Sequence, residues 1–401
     1  MTGLKRGVVG LFLAAGLLAA QDPVDEWIRG NAIRLTTPVP GHGFDDMQPL
    51  KKVVGDARIV SLGEATHGTR EFFQMKHRVL EFLATEMGFT VFAIEANMPE
   101  ASELNGYLGR GSGDPAQLIR GMHFWAWDTE EVLDMVRWMR DFNQSGKGHV
   151  EFMGFDMQAP KIAIEALQLF VAKADPEYAE TLAKASELVD PKAASEEWSK
   201  VVKHLEVSQF PAQKGEVDQA IQSARLVLQS MQMKANQMPR DASMAANVKW
   251  IVDQRPGQKI VLWAHNAHVM TSGGASMGSA LRKMYGDQMV TFGFAFDQGS
   301  FQARPEGGEG LKNFTVPPAP AGSLDATLSA SGIPLFALDL RTAPKSGPVA
   351  DWWKSPHETC SIGTMYPENQ PYARLVKQVA PEAFDVILFV DKTTAARKNA
   401  P

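Results

Sequence analysis

Carboxylates and imidazoles close four apolar runs in this chain: Glu64 and His67 in GEATHGT, Glu95 in IEAN, Asp156 in GFDMQ, and His265 and His268 in WAHNAHV. An imidazole titrates near neutrality, so it is well matched to taking a proton from water or giving one to a leaving group. A carboxylate three residues away can accept the imidazole's second N–H and fix its tautomer. Glu64 and His67 have that spacing, and Gly63 and Gly68 are expected to permit a tight turn around them. Any one of these residues alone reads as the start of a solvated loop. Together in a partly buried cleft they would shift one another's pKa values, as acid and base catalysis at neutral pH requires.

The same residues admit other chemistry. Two imidazoles and two glutamates could hold a divalent metal, although the H-x-x-H of WAHNAH lacks the helical H-E-x-x-H context, so the expectation is no cofactor and no metal ligand. Gly274, Ser276 and Gly278 match a serine-nucleophile elbow, with Asp339 and His357 following in the order such enzymes use. An elbow serine directly follows a strand, however, whereas Ser276 stands well beyond the apolar run that His265 closes. Lys76 falls between Phe72, Phe73, Val79 and Leu80, which directs it either to the rim of the site or to solvent, the solvated placement being the ordinary one. In HFWAWDT, Phe124, Trp125 and Trp127 could wall an apolar pocket or belong to the core. Lys76, Asp156 and Trp125 are the candidate substrate contacts.

Seven runs have strand character: 58–64, 90–96, 150–156, 259–265, 289–296, 335–340 and 384–391. Most are continuously apolar, as in IVSL, VFAI, IVLW and VILFV, which is how parallel strands covered on both faces read. Helical patterns separate them, and Asp128 with Glu131 resembles a capping box opening a helix to about Asn143. The fold class is therefore α/β, a three-layer arrangement with a mostly parallel central sheet between helices. Ligands of such sheets bind beyond the carboxyl ends of the strands, where the ionisable residues stand. Residues 160–254 break the rhythm with successive helical patterns and read as a helical insertion, whose Met231, Met233, Met238 and Met244 could line an adaptable surface or pack helices. Residues 298–325, rich in Gly and Pro, are expected to form a long loop, and 392 onward a polar tail.

The chain has 401 residues, 44% of them apolar, enough for a sizeable core. With 40 basic against 46 acidic residues and no Lys/Arg-rich run, nucleic acid is not an expected partner. Lys5 and Arg6 ahead of an apolar run from Val8 to Ala20 have the layout of a signal peptide, residues 1–20, which implies a periplasmic or secreted protein with no membrane span after its removal. Residues 21–401 would then be one catalytic domain. The single cysteine, Cys360, excludes an intramolecular disulfide.

GEATHGTREFF, IEAN, GFDMQ, RDASMAANV and WAHNAHV, in this order, resemble the erythromycin esterase family, and the resemblance runs from about residue 30 to the last strand. It implies a hydrolase of the kind that opens the macrolactone ring of erythromycin-like antibiotics, usually without a tightly held metal. It also implies that His67 is the base that activates water, with Glu64, Glu95, His265 and His268 completing the site and Lys76 in a position where the family carries a basic residue. Ala246 departs from the pattern, which leads one to expect an acidic residue before Asn247. Family members do not all hydrolyse macrolides. The expected reaction is attack of water on an ester or lactone, with His265 or His268 stabilising the oxyanion or protonating the leaving alkoxide, Glu95 positioning water or substrate, and no acyl-enzyme. The alternatives are a metal-dependent hydrolase using the same five residues, or a non-catalytic protein that binds a porphyrin or a glycan.

Overall fold

Each central strand sends alternate side chains into two different cores. In the computed structural model, which describes residues 22–368, 370 and 373–399, Val60, Leu62, Phe92, Ile94, Val261 and Trp263 enter one core. Their neighbours Ile59, Val91, Ala93, Ile260 and Leu262 enter the other. A strand buried on both faces is apolar at nearly every position, so these runs are almost continuous, with the small Ser61 the exception in β2. The signal-peptide stretch 1–20 lies outside the described residues.

The strands are β1 (Ile33–Arg34), β2 (Ile59–Leu62), β3 (Phe89–Asn97), β4 (Glu151–Asp156), β5 (Lys259–Trp263), β6 (Met289–Pro305), β7 (Lys312–Val316), β8 (Leu335–Asp339), β9 (His357–Cys360), β10 (Met365–Tyr366), β11 (Leu375–Gln378) and β12 (Val386–Thr393). The main sheet has the order β1-β8-β12-β6-β2-β5-β3-β4. From β12 to β4 every pair is parallel, while β1 and β8 extend the edge antiparallel. This is the expected mostly parallel α/β sheet, and all seven anticipated strands are in it. Residues 161–253 form the helices Lys161–Ala174, Ala179–Ser186, Pro191–Val207, Lys214–Lys234 and Arg240–Asp253 and pack against the second core. Met244 is buried there, Met231 and Met233 pack against it, and Met238 is exposed.

Three expectations are corrected. Residues 298–325 are not a long loop: β6 runs on to Pro305 and pairs antiparallel with β7. Its buried residues there, Phe301, Ala303 and Pro305, recur with period two, a pattern the surrounding Gly and Pro residues obscure. The polar tail is also ordered structure. After β12, Ala395 bridges Thr69, Lys398 bridges Thr129, and the Ala396 N–H donates to Gly68 O at 2.9 Å. The helix Glu130–Gln144 is capped by Thr129, whose hydroxyl accepts from Val132 N–H, while Glu131 accepts from the backbone and side chain of Arg397. Asp128 instead accepts from Asn399.

Gly63 and Gly68 do flank the His67 loop, but neither has a positive φ. Their role is close approach. A Cβ at Gly63 would lie 2.1 Å from Asn266 Oδ1, and one at Gly68 would lie 2.0 Å from Gln302 O. Because the second obstacle is backbone, Gly68→Ala is expected to displace the loop and destabilise the protein by about 1–3 kcal/mol, the usual cost of overpacking. A thermal unfolding midpoint equal to that of the parent would refute this account of the glycine.

Candidate active site

β2, β5, β3 and β4 are neighbours, so their carboxyl ends form one continuous rim. The residues after β2 supply the centre. His67 is 7% exposed, and its Nδ1 lies 2.6 Å from Glu64 Oε1. Lys76 Nζ donates to Glu64 Oε2 at 2.6 Å, and the Trp263 indole N–H donates to the same oxygen at 2.8 Å. Lys76 is fully buried with its ammonium 4.4 Å from the Trp263 ring centre, so the solvated placement is wrong. Burial would raise the Glu64 pKa, but Lys76 and His67 hold it below the ordinary carboxylate range. Burial likewise pushes Lys76 down to about 8 against the pull of Glu64. Both are charged at neutral pH. The result is an ionised acceptor that fixes His67 with Nδ1–H toward Glu64 and leaves Nε2 for the cleft the ring lines.

A second ionic cluster stands on β3 and β4. The β3–β4 register shifts between Ile94 and Asn97, and Gly154 lies opposite, where a Cβ would meet Ala96 O at 2.4 Å. That irregularity carries Glu95. Arg240, at the start of the helix Arg240–Asp253, donates to Glu95 Oε1 at 2.8 Å and to both oxygens of Asp156, at 3.2 and 2.6 Å. Burial would raise the Glu95 pKa, but His268 and Arg240 hold it far below the usual range. Glu95 Oε2 also accepts from the His265 backbone N–H at 3.0 Å.

The two later histidines differ. The His265 ring lies 4.9 Å from that of His67, centre to centre. Burial pushes its pKa down to about 3, so it is neutral at neutral pH. Its Nε2–H donates to Ile362 O at 3.0 Å and its Nδ1 accepts from Ala267 N–H at 3.1 Å. Both nitrogens are engaged by backbone. His268 Nδ1 lies 2.9 and 3.0 Å from the two oxygens of Asp241. Its Nε2 is 3.4 Å from Glu95 Oε1 and 3.2 Å from Arg240 Nη1. Burial lowers the His268 pKa, but Glu95 and Asp241 outweigh it and leave the value raised.

His67, Glu95, Arg240, His265 and His268 line a cleft of about 540 Å³ together with Phe124, Trp125 and Trp127 and with Ser361, Gly363, Thr364, Met365 and Arg374. Trp125 lines the cleft. Lys76, Asp156 and Glu64 do not line the cleft; they hold Glu64, Arg240 and His67 respectively from behind. Arg240, Asp241 and Arg374 are the residues sequence reasoning missed. The first two open the segment RDASMAANV, directly after Pro239. Ala246 of that segment is exposed, so its departure from the pattern leaves the cluster untouched.

The serine arrangement does not assemble. Ser276 caps the helix Met277–Tyr285, accepting from Ser279 N–H and donating to Met270 O at 2.6 Å. Asp339 is paired with Arg341, and His357 stacks on Trp352. Among the described residues no group of three or more His, Cys, Asp or Glu side chains is disposed to hold a metal ion. The carboxylates of the rim are already bound by the cations Lys76 and Arg240.

The model of the family described as erythromycin esterase matches residues 84–393. A Bacillus subtilis protein, YbfO, whose name assigns it provisionally to the hydrolases, is 27% identical, with 96% of this chain and 94% of the relative covered. Erythromycin esterase type II of Escherichia coli is 26% identical over 80% of this chain and 90% of its own length. A solved Bacillus cereus structure superposes with a TM-score of 0.84 at 25% identity, covering 94% of this chain and 98% of that one.

Lys76→Met strands a buried carboxylate and should cost about 3–5 kcal/mol of stability, whereas adding Glu64→Gln removes both charges and should restore much of it. Chemical denaturation of the two variants checks this. Additive losses in the double variant would show that Lys76 and Glu64 do not act as a pair.

Proposed function

The chain belongs to the erythromycin esterase family and is accordingly a hydrolase, and we propose that it opens an ester or lactone by direct attack of water activated at His67. The observation that carries this reading is the Lys76–Glu64–His67 series, which ends on an imidazole nitrogen turned to the cleft. His67 Nε2 takes a proton from water, Glu64 stabilises the imidazolium that forms, and the water oxygen adds to the carbonyl carbon. Arg240 faces the developing oxyanion. Three of the five guanidinium N–H groups serve Asp156 and Glu95, which leaves the two on Nη1, beside His268, for a substrate oxygen. Glu95 and Asp156 hold that guanidinium in place. His265, neutral and committed to Ile362 O and Ala267 N–H, shapes the rim rather than stabilising charge.

No metal is needed in this scheme, because Arg240 supplies the electrophile and His67 the base. The E. coli relative is named for erythromycin, and a cleft of about 540 Å³ lined in part by aromatic residues suits a drug-sized apolar lactone. A macrolide is therefore the proposed substrate. The basic and then apolar start of the chain supports an exported enzyme acting in the periplasm or medium. Among the described residues no helix is long and apolar enough to cross a membrane.

Incubation with erythromycin-type macrolides and with simple esters, followed by mass spectrometry, should show a gain of one water. His67→Ala should lower kcat by about 10²–10⁴, the range for loss of a general base, with unchanged circular dichroism. Ser276→Ala should cost only helix-cap stability, about 1 kcal/mol. Turnover that survives in His67→Ala, or covalent labelling of Ser276 by a fluorophosphonate, would overturn the mechanism.

A further inference from the structure

We infer that residues 394–399 are a positioning strap for the reaction. They join the loop that carries His67 to the segment that carries Trp125 and Trp127, and so set the imidazole at a fixed distance from the aromatic residues of the cleft. This rests on the hydrolase reading and adds to it an element that touches neither substrate nor reacting atoms.

The two joined segments lie far apart in sequence, and among the described residues no backbone hydrogen bond runs between 64–70 and 124–131. The His67 and Trp127 rings stand 6.1 Å apart, centre to centre. The Arg70 Nε lies 3.6 Å from Glu131 Oε1, beyond hydrogen-bond range.

The end of the chain makes the connection. Thr394 O accepts from Arg70 N–H at 2.9 Å, Ala395 bridges Thr69, and Ala396 N–H donates to Gly68 O at 2.9 Å. The next three residues repeat this on the other segment: Arg397 O accepts from Glu130 N–H at 2.7 Å, Lys398 bridges Thr129, and Asn399 N–H donates to Asp128 O at 3.2 Å. Side chains lock both halves. The Thr394 N–H and hydroxyl donate to the Glu71 carboxylate at 2.7 and 2.6 Å. Arg397 Nε donates to Glu131 Oε1 at 2.9 Å, its Nη1 lies 2.9 Å from Glu130 Oε2, and Asn399 Nδ2 donates to Asp128 Oδ1 at 3.0 Å. Between the halves, Ala396 is buried in the core that also holds Phe72 and Trp127.

The attachment points adjoin the cleft on both sides. Gly68 directly follows His67, and Asp128 and Thr129 directly follow Trp127. Thr129 N–H donates to Trp127 O at 2.8 Å and Asp128 N–H to Trp125 O at 3.3 Å, so a pull on this turn reaches both indoles. None of residues 394–399 lines the cleft itself, which makes Thr394 and Arg397 positioning residues. The family model's match ends at residue 393, and the strap begins at the next residue.

A base acts only at the distance and angle its substrate demands, and a displacement of about 1 Å can cost about a hundredfold in rate. The sheet is complete once β12 ends at Thr393. Loss of the strap therefore spares the strands and frees the two segments to shift against each other, which lowers the rate of the chemical step.

The test compares the parent with a chain ending at Thr393, with Arg397→Ala and with Arg397→Lys, on an ester that the parent hydrolyses and well below every melting transition. The shortened chain should lose about a hundredfold in kcat with a smaller change in KM. Arg397→Ala should show part of that loss, and Arg397→Lys should recover some of it. Hydrogen exchange read by mass spectrometry should quicken in 66–70 and 124–130 together and stay unchanged in β2 and β5. A strap that only stabilises the fold would lower the melting temperature and leave kcat at the parent value. Parental kcat in a folded shortened chain overturns the proposal; should that chain not fold, parental kcat in Arg397→Ala does so. Faster exchange in just one of the two segments overturns their coupling. A parent that hydrolyses no ester overturns the hydrolase reading instead, and the strap is then decided by the exchange of the two segments.

Discussion

The ammonium of Lys76 and the carboxylate of Glu64 meet with neither side chain exposed to water, and the rest of the site is arranged around that contact. Withdrawing either charge from water costs several kcal/mol, so the pair persists only with excellent geometry and no unsatisfied lone pairs. The Trp263 indole N–H, the His67 Nδ1–H and the Trp263 ring face supply what is missing. The pair and its supports come from three elements: Lys76 from the helix Arg70–Met87, Glu64 and His67 from the loop after β2, and Trp263 from β5. A shift in any of them would leave a buried charge without its partner. His67 is therefore held by a contact whose disruption is too costly for ordinary fluctuation, which is the preorganisation a catalytic base needs.

The Arg240 cluster follows a different rule. Its guanidinium is partly exposed, with 22% of the side chain accessible, and it spreads over Glu95, Asp156 and His268 instead of pairing with one anion. Planar, delocalised Arg suits this bridging role, while compact Lys suits the sealed pocket behind Glu64. One cluster fixes a side chain from behind; the other faces the cleft and can respond to a ligand's charge. The helices of residues 161–253 contribute to the second through Arg240 and Asp241, and so complete the rim.

Much of this was legible before any coordinates. The parallel strands announced themselves through continuous apolar runs, because burial on two faces leaves no room for polar alternation. Glu64, His67, Glu95, His265 and His268 were found from their positions after those runs. What escaped were contacts between distant segments. Arg240 lies 145 positions from the Glu95 it binds, and nothing local to Pro239-Arg240-Asp241 distinguishes it from an ordinary helix start. Lys76 resembled a surface lysine because its partner is a turn away in the fold, not on its own helix. The hairpin of β6 and β7 was hidden by the Gly and Pro residues around it. Glycine at 68 was singled out for the wrong reason, since the crowding by Gln302 depends on a strand far along the chain.

The segment after β12 has a consequence for how the protein comes into being. Thr394 donates its N–H and hydroxyl to the Glu71 carboxylate across 323 positions, and Ala395 and Ala396 fasten the backbone at Thr69 and Gly68, beside His67. The loop that carries His67 is translated early, yet the residues that clamp it leave the ribosome only after the strands of the sheet have been made. The nascent chain can lay down its cores first and fix the His67 loop last.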